Sequence, residues 1–266
     1  MTRALLALLG LAGLAVWGQG GPAGAAPRVK EAFHVFLLVG QSNMAGRGVD
    51  AMQDPPVDPR VLMLTRAGRW VPATDPMHFD KPIAGVGLGR SFAARVAEAF
   101  EDATIGLVPA AVGGSPIEAW KPGVFYEPTK SHPWDDAIAR ARVAMERGTL
   151  KAILWHQGES DATPALAPAY EGRLHDLIAR FRTTLDSPDV PFMVGQLGRF
   201  ADVPWDEARG IVDAAHRALP AKVAHTAFVS SEGLVHGGDR VHFDAASLRA
   251  LGRRYADAYL ASAARH

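Results

Sequence analysis

Short apolar segments alternate with longer segments of helical spacing along most of this chain, and no other feature constrains its fold as strongly. The first of them, Phe33–Val39, reads FHVFLLV, the nearly continuous apolar run expected of a strand buried on both faces. Strands and helices that take turns along a chain are typical of a parallel sheet covered by helices. We therefore predict an α/β fold, a three-layer α/β/α sandwich with a central, mostly parallel sheet.

The segments can be assigned one by one. The predicted strands are Phe33–Val39, Thr104–Ala110, Ala152–Trp155, Pro191–Gly195 and Val223–Val229. The predicted helices are Gly89–Phe100, Trp134–Arg147, Ala165–Leu185, Trp205–Ala218 and Ala245–Ala261. Stretches rich in Gly and Pro lie between these elements and predict loops at Asp54–Pro59, Thr74–Gly89 and Trp120–Pro133.

Composition limits the number of domains and the class of ligand. A chain of 266 residues, 48% of them hydrophobic, can bury one substantial core, which predicts a single domain over residues 26–266. The 28 Lys and Arg residues balance the 28 Asp and Glu residues, so we expect no strong attraction to nucleic acid or to an anionic membrane. The absence of cysteine excludes disulfides, thiolate catalysis and zinc sites of the Cys type.

The first 25 residues have the features of a signal peptide. Arg3 gives a positive start, Ala4–Trp17 is an apolar run too short to span a bilayer comfortably, and residues 23–25 are small enough for cleavage. We expect residues 1–25 to be removed and the mature protein to be secreted or periplasmic, without stable membrane insertion. A retained membrane anchor is the alternative interpretation.

A serine follows the first predicted strand directly. The segment Gly40–Gly46 reads GQSNMAG, and in a doubly wound sheet ligands bind at the carboxyl ends of the strands. Ser42 would have its backbone N–H near a helix N-terminus, where negative charge is stabilised, and this position suits a nucleophile. An ordinary helix N-cap is the alternative.

A histidine and a carboxylate lie near the other end of the chain. A serine hydroxyl is a weak nucleophile until a base takes its proton, so a serine hydrolase needs a histidine that is oriented by an acid. Asp239 and His242 follow the last predicted strand and precede the final helix. Their spacing of three residues allows both side chains to point the same way from one turn. Asp239 could then hold the imidazole of His242 in the tautomer that accepts a proton from Ser42.

Four motifs, taken in order, resemble those of a known family. They are Gly40–Gly46, Gly113–Ile117 (GGSPI), Trp155–Asp161 (WHQGESD) and Asp239-x-x-His242. The first and third are long and unusual, and the resemblance extends from Phe33 to the last helix. The chain resembles the sialate O-acetylesterase and carbohydrate esterase family 6 group of the SGNH hydrolase superfamily. This resemblance implies a flavodoxin-like fold and hydrolysis of acetyl esters on sugars.

The resemblance also implies a role for each motif. Ser42 would attack the acetyl carbonyl, and His242 would take its proton and later give it to the departing sugar hydroxyl. The oxyanion would be bound by the backbone N–H groups of Ser42 and Gly114 and by the side-chain amide of Gln157. The residues assigned to substrate binding are Gln41, Asn43 and Arg47. For Arg47, pairing with a nearby acid is an alternative to substrate contact.

The segment Gly158–Asp161 departs from the wider superfamily pattern. Many members carry Gly-x-Asn-Asp there and place the asparagine in the oxyanion hole, whereas this chain has Ser160 at that position. The resemblance implies that Gln157 takes over the task. It also leaves two candidates for the carboxylate that orients the catalytic histidine, Asp239 and Glu159, of which we favour Asp239.

The predicted function is removal of O-acetyl groups from carbohydrates, either acetylated xylan-type glycans or sialic acid, through an acyl-enzyme on Ser42. A general short-chain carboxylesterase and a non-catalytic sugar-binding protein on the same fold are the alternatives. The route needs only side chains and water, so no metal or organic cofactor is predicted. The oligomeric state has no signal in the sequence.

Two further groups of residues are open to more than one interpretation. Loop or supporting roles are expected for three histidines whose spacings match no familiar metal-ligand pattern: His132, His156 and His236. Three tryptophans could either stack against a sugar ring or pack in the core: Trp120, Trp134 and Trp155.

Overall fold

A single sheet forms the centre of the computed structural model, which describes residues 30–49 and 58–264. The predicted signal peptide at residues 1–25 lies outside the described residues. The strands of the described ranges are β1 (Phe33–Gly40), β2 (Val61–Leu64), β3 (Trp70–Pro72), β4 (Thr104–Pro109), β5 (Thr149–His156), β6 (Phe192–Gly195) and β7 (Thr226–Val229). Their order is β3-β2-β4-β1-β5-β6-β7, and all neighbours are parallel except β2 and β3.

The order of the central strands determines where a site can form. From β4 to β7 the strands β4-β1-β5-β6-β7 follow the order 2-1-3-4-5 of a flavodoxin-like sheet. After β1 the chain forms β2, β3 and β4, which all lie on one side of β1. After β4 the chain crosses to β5 on the other side of β1. The direction of winding therefore reverses at the carboxyl end of β1. Ligands of open α/β sheets bind at such a point.

Helices cover both faces of the sheet. They are α1 (Ser42–Ala45), α2 (Gly89–Ala99), α3 (Pro133–Met145), α4 (Tyr170–Thr184), α5 (Glu207–Lys222) and α6 (Ala245–Ala263). Alternate residues of β1 face two core layers: Val35 and Leu37 pack beneath α3, α4 and α5, whereas Phe36 and Leu38 pack beneath α2 and α6. No helix in the described ranges is both long and apolar enough to cross a membrane.

The predicted α/β fold with a central, mostly parallel sheet is confirmed. All five predicted strands and all five predicted helices form, and their ends lie within five residues of the predicted positions. β2 and β3 were not predicted, and they form an antiparallel hairpin at one edge of the sheet. These strands are four and three residues long, which is too short for a periodic pattern to be recognised.

A side-chain cap fixes the start of α6 close to the predicted catalytic histidine. Asp244 Oδ1 accepts a hydrogen bond from the N–H of Ser247 at 2.7 Å. The hydroxyl of Ser247 in turn accepts one from the N–H of Val235 at 3.0 Å. Caps of this kind contribute about 1 kcal/mol to helix stability. The loop that carries His242 is thus anchored to the first turn of a 19-residue helix.

Three buried histidines make the fold sensitive to acid. Burial lowers the pKa of His78 and of His216 to about 3 and the pKa of His156 to about 4. In the unfolded chain these imidazoles titrate near their ordinary value of 6.5. As the pH falls from 6.5 towards 4, the unfolded state therefore binds protons that the folded state does not. The free energy of unfolding decreases over the same range.

We expect each of these imidazoles to add a slope of up to about 1.4 kcal/mol per pH unit to the loss of stability below neutral pH. Urea unfolding at pH 7, 6 and 5, followed by tryptophan fluorescence, measures the slope. His78→Gln should reduce it, because the buried imidazole whose pKa is lowered is then absent. Equal stability at pH 7 and pH 5 would contradict the prediction.

Candidate active site

Ser42 stands on a sharp turn at the carboxyl end of β1. Gly40 has a φ of 128°, and a Cβ on it would lie 2.2 Å from the carbonyl oxygen of His156, so only glycine permits this close approach. The N–H of Gln41 donates to the same carbonyl oxygen at 2.9 Å. α1 begins at Ser42, and N–H groups in the first turn of a helix have no partner within that helix. The turn therefore presents both the hydroxyl and the backbone N–H of the serine.

The imidazole of His242 connects this hydroxyl to a carboxylate. His242 Nε2 lies 2.8 Å from Ser42 Oγ, and His242 Nδ1 lies 2.5 Å from Asp239 Oδ2. The second carboxylate oxygen of Asp239 accepts hydrogen bonds from the backbone N–H groups of Val241 and His242, at 2.9 and 2.8 Å. The structure thus brings Ser42, His242 and Asp239 together in the order hydroxyl, imidazole, carboxylate. Serine hydrolases use this order.

The carboxyl of Asp239 is ionised at neutral pH. Partial burial raises the pKa of this group, but hydrogen bonds from the backbone and imidazole of His242 and from the N–H of Val241 outweigh that effect and bring the pKa to about 2. A carboxylate next to Nδ1 favours the tautomer in which Nδ1 carries the proton, because that N–H can donate to it. The lone pair of Nε2 then faces Ser42, as a general base requires.

Asn43 joins the turn that carries Ser42, here called the serine turn, to the loop that carries His242, here called the histidine loop. Its Oδ1 accepts a hydrogen bond from the N–H of Phe243 at 3.1 Å, across 200 residues of sequence, and its Nδ2 donates to the carbonyl oxygen of Val241 at 3.2 Å. Asn43 is completely buried, where such bonds are stronger than in water. The two bonds fix the backbone on either side of His242.

Glu159, the second candidate for orienting the histidine, has a different partner. Its Oε1 accepts a hydrogen bond from Asn43 Nδ2 at 2.6 Å. Both ring nitrogens of His242 are already engaged, Nδ1 by Asp239 and Nε2 by Ser42. Asp239 is therefore the carboxylate in contact with the imidazole. Glu159 reaches the histidine loop through Asn43.

The loop after β4 that contains Gly113 and Gly114, here called the glycine loop, lies beside the serine turn. The N–H of Val112 donates at 2.9 Å to the carbonyl oxygen of the last residue of β1. Gly114 is partly exposed and has a φ of 82°, and its carbonyl oxygen accepts hydrogen bonds from Tyr126 Oη at 2.7 Å and from Ser160 Oγ at 2.9 Å. These bonds hold the glycine in place, and its missing side chain leaves its backbone open to a ligand. The N–H groups of Gly114 and Ser42 are the candidate oxyanion donors.

Arg47 supports the glycine loop from behind. Its guanidinium forms a salt bridge of 2.6 Å with Asp80, and both side chains are almost fully buried. The same oxygen of Asp80 accepts a hydrogen bond from the N–H of Gly113 at 2.9 Å. These contacts leave the Arg47 side chain inside the protein. The prediction that Arg47 binds substrate is therefore wrong, and the alternative of pairing with an acid is confirmed.

Gln157 does not reach the oxyanion position. Its side chain is fully buried, and its Nε2 donates to Asp161 Oδ2 at 2.5 Å and to the carbonyl oxygen of Ser115 at 3.2 Å. Its Oε1 accepts a hydrogen bond from Tyr170 Oη at 3.0 Å. An amide has two N–H donors, and both are used inside the core. The predicted role of Gln157 is therefore corrected: the side chain holds the third motif to the core beneath it.

Gln41 and Asn43 also face the protein interior. Gln41 is 3% exposed, and its Oε1 accepts long hydrogen bonds from the N–H groups of Gly158 and Ser160, at 3.4 and 3.3 Å. Asn43 is committed to the histidine loop and to Glu159. The polar side-chain atoms of Asn43 are bonded internally and hidden from solvent, so they are not available to a sugar, and the assignment of Asn43 to substrate binding is wrong. Only Oε1 of Gln41 is bonded in this way, and the assignment of Gln41 to substrate binding stays a prediction.

Three side chains that sequence reasoning did not identify hold the glycine loop. Asp80 and Tyr126 lie in stretches predicted only as loops, and nothing in the sequence distinguishes them from their neighbours. Ser160 did carry a signal, because it occupies the position where many superfamily members have asparagine. In the structure its hydroxyl binds the carbonyl oxygen of Gly114 instead of offering an oxyanion donor.

The other residues singled out from the sequence have structural partners. His156 is buried 3.3 Å from Tyr255 Oη, and His236 pairs with Asp202 at 3.0 Å. Core packing accounts for three tryptophans, none more than 3% exposed: Trp120, Trp134 and Trp155. Among residues 30–49 and 58–264, no three His, Asp or Glu side chains are grouped closely enough to hold a metal ion.

Comparison with known proteins gives matches over nearly the whole described chain. A family model described as carbohydrate esterase, sialic acid-specific acetylesterase, matches residues 32–261. A probable carbohydrate esterase of Arabidopsis thaliana is 32% identical over 250 residues, which cover 86% of this chain and 90% of the relative. The X-ray structure of that Arabidopsis thaliana protein has a TM-score of 0.76 at 31% identity and covers 86% of this chain and 98% of its own.

More distant solved structures share the fold. NanS has a TM-score of 0.70 at 18% identity, covering 89% of this chain and 99% of its own. A carbohydrate acetylesterase of Xanthomonas citri has a TM-score of 0.65 at 20% identity, covering 88% of this chain and 57% of its own. The range of the family match includes all four sequence motifs. The chain therefore belongs to the carbohydrate esterase family of sialic acid-specific acetylesterases and is a carbohydrate O-acetylesterase.

Proposed function

We propose that this protein removes O-acetyl groups from carbohydrates through an acyl-enzyme on Ser42. The observation that carries the proposal is the hydrogen-bonded chain from Ser42 Oγ through His242 to Asp239, with distances of 2.8 and 2.5 Å. A hydroxyl in contact with an imidazole that is itself held by an ionised carboxylate has the arrangement of an activated nucleophile.

In the first half-reaction, Ser42 Oγ attacks the acetyl carbon while its proton moves to His242 Nε2. Asp239, whose pKa is about 2, stays ionised and stabilises the imidazolium. Negative charge develops on the carbonyl oxygen, where the N–H groups of Ser42 and Gly114 bind it. When the tetrahedral intermediate collapses, the bond to the sugar oxygen breaks and the imidazolium gives its proton to that oxygen. The products are acetyl-serine and a free sugar hydroxyl.

The second half-reaction repeats these steps with water in place of the serine. His242 takes a proton from water, and the water oxygen attacks the acetyl carbon. The same two N–H groups bind the oxyanion again. Collapse breaks the bond to Ser42 Oγ, which recovers its proton from the imidazolium, and acetic acid leaves and gives its remaining proton to the solvent as acetate.

The charge next to Gly114 supports an acidic sugar as substrate. Lys81 Nζ lies 3.9 Å from the position that a Cβ would take on Gly114. In the part of the chain that the structure describes, this ammonium has no ion pair and no hydrogen bond. An unpaired cation favours a ligand that carries a carboxylate. Of the two expected substrate classes, acetylated sialic acid has one, whereas a neutral xylan backbone does not.

Acetate release from O-acetylated sialic acid, acetylated xylan and 4-nitrophenyl acetate tests the substrate class. We expect the highest kcat/KM for O-acetylated sialic acid. Lys81→Met should lower that value about tenfold and leave the other two nearly unchanged, since a hydrogen bond to a charged group is lost. Hydrolysis of nitrophenyl esters with no release from either carbohydrate would favour a general carboxylesterase instead.

Covalent labelling tests the acyl-enzyme route. A fluorophosphonate reacts with activated serines, so it should abolish activity and add its mass to the peptide that contains Ser42. Labelling of the His242→Ala variant should be far slower, because nothing then takes the serine proton. A protein that stays fully active with every copy of Ser42 labelled would exclude the route.

A further inference from the structure

A cavity of about 510 Å³ opens between two loops at the carboxyl edge of the sheet. One loop follows β6 and the other follows β7, so the cavity lies on the same edge of the sheet as the turn that carries Ser42. None of the predicted or observed catalytic groups lines it. Its main lining residues are Arg199, Phe200, Val203, Pro204, Trp205 and Glu232.

The wall of this cavity is attached to the histidine loop. Asp202 lies between two lining residues in the sequence. Its carbonyl oxygen accepts a hydrogen bond from the guanidinium of Arg240 at 2.7 Å, and its carboxylate pairs with the imidazole of His236 at 3.0 Å. The ring of Phe200 stacks edge-on against the rings of His236 and Phe243, with centroids 5.1 and 5.2 Å apart. The cavity therefore adjoins the loop that positions the catalytic imidazole.

The floor of the cavity is apolar and includes an aromatic side chain held in place. Trp205 is partly exposed, and its Nε1 donates to the carbonyl oxygen of Gly198 at 3.0 Å, which fixes the indole. Val203 and Pro204 extend the apolar surface. Fixed aromatic and aliphatic surfaces suit the C–H face of a sugar ring.

Two opposite charges face the cavity without neutralising each other. Arg199 comes from the loop after β6, and its guanidinium lies 5.4 Å from the centre of the Trp205 ring. Glu232 comes from the loop after β7. Within the described residues neither side chain forms an ion pair or a side-chain hydrogen bond. The guanidinium therefore offers only donors, and the carboxylate offers only acceptors, to whatever enters.

We propose that this cavity is a subsite for a sugar unit adjacent to the acetylated one, so that the enzyme acts on oligosaccharides in preference to single sugars. The inference rests on the proposed function. Sugar hydroxyls both donate and accept, so one ring can bind Arg199 and Glu232 together while its C–H face lies on the apolar floor. A lipid chain would leave both charges buried and unpaired, which is costly. A simple anion would be repelled by Glu232, and a simple cation by Arg199.

Steady-state kinetics with matched substrates test the subsite. O-acetylated sialic acid is compared with an O-acetylated sialyl-oligosaccharide, and acetylated xylose with acetylated xylotetraose. We expect a higher kcat/KM for the oligosaccharide of the pair that the enzyme hydrolyses. Glu232→Gln and Arg199→Met should each lower that value about tenfold, mainly through KM, and leave kcat/KM for 4-nitrophenyl acetate within twofold. Glu101→Gln, which removes an exposed carboxylate at the other edge of the sheet, is the matched control.

Failure of the subsite and failure of the proposed function give different results. Equal kcat/KM for single sugar and oligosaccharide, or unchanged values in both cavity variants, would overturn the subsite while leaving the esterase intact. If no carbohydrate is deacetylated, the proposed function fails. Calorimetric titration with sialyllactose and xylotetraose then decides about the cavity. Binding that is lost in Glu232→Gln supports the subsite, and absence of binding by the parent protein overturns it.

Discussion

Replacing Ser42 with alanine is expected to lower kcat for acetyl ester hydrolysis on the order of 10⁵-fold, because the variant has no atom that can form the acyl-enzyme. His242 and the N–H groups of the site remain, but a water molecule would have to be the nucleophile from the start. Binding of substrate should change little, since KM then reports contacts that the alanine leaves in place. Acetate release and 4-nitrophenyl acetate hydrolysis both measure the effect.

The variant is expected to keep its fold. Ser42 Oγ bonds to His242 at the site and not to the core, so the midpoint of urea unfolding should stay close to that of the parent protein. Ser187→Ala is the matched control, because its hydroxyl bonds only locally, to the carbonyl oxygen of Leu185. A Ser42→Ala protein with parental turnover would remove the nucleophile from the proposed mechanism.

The sequence predicts those parts of the site whose place depends on local chain geometry. Ser42 follows a strand whose apolar run is recognisable, and Asp239 lies three residues before His242, so one turn is enough to join them. The fold class follows from the same alternation of strands and helices. The contact between Ser42 and His242 spans 200 residues, and it could be expected only because both segments follow strands of one parallel sheet.

The sequence does not reveal which polar side chains of a motif face the substrate. Gln41, Asn43 and Gln157 are polar residues in motifs beside the nucleophile, which suggested ligand contact, yet all three are buried. Each one satisfies backbone or side-chain groups of loops that are distant in sequence. Buried polar groups need such partners, and the partners are set by tertiary packing that no local pattern encodes. The polar residues of these motifs therefore hold loops of the site together.

The charge of a motif residue is likewise a poor guide to its role. Asp239 is partly exposed and contacts the imidazole directly, whereas Glu159 is nearly buried and contacts Asn43. Both carboxylates lie near the histidine loop, and both were candidates from the sequence. Only hydrogen-bond geometry separates them: Asp239 Oδ2 is 2.5 Å from His242 Nδ1, and Glu159 Oε1 is 2.6 Å from Asn43 Nδ2.

Asp239→Asn should lower kcat on the order of 10³-fold, and Glu159→Gln should lower it far less. The asparagine cannot supply the negative charge that stabilises the imidazolium, and its NH₂ group can donate to Nδ1, which moves the imidazole proton to Nε2. Nε2 could then no longer accept the proton of Ser42. Since the pKa of Asp239 is about 2, the parent enzyme has this charge at every pH at which it is assayed.

Glu159→Gln keeps the size of the side chain and an oxygen that can accept the hydrogen bond of Asn43. Its expected effect is a loss of about tenfold or less in kcat, accompanied by a lower midpoint of urea unfolding, because the clamp on the histidine loop is weakened rather than removed. Comparing both variants by kcat and by unfolding midpoint separates orientation of the base from support of its loop. A larger fall in kcat for Glu159→Gln than for Asp239→Asn would reverse the two roles, since the residue whose charge acts on the imidazole must be the one whose neutralisation costs more turnover.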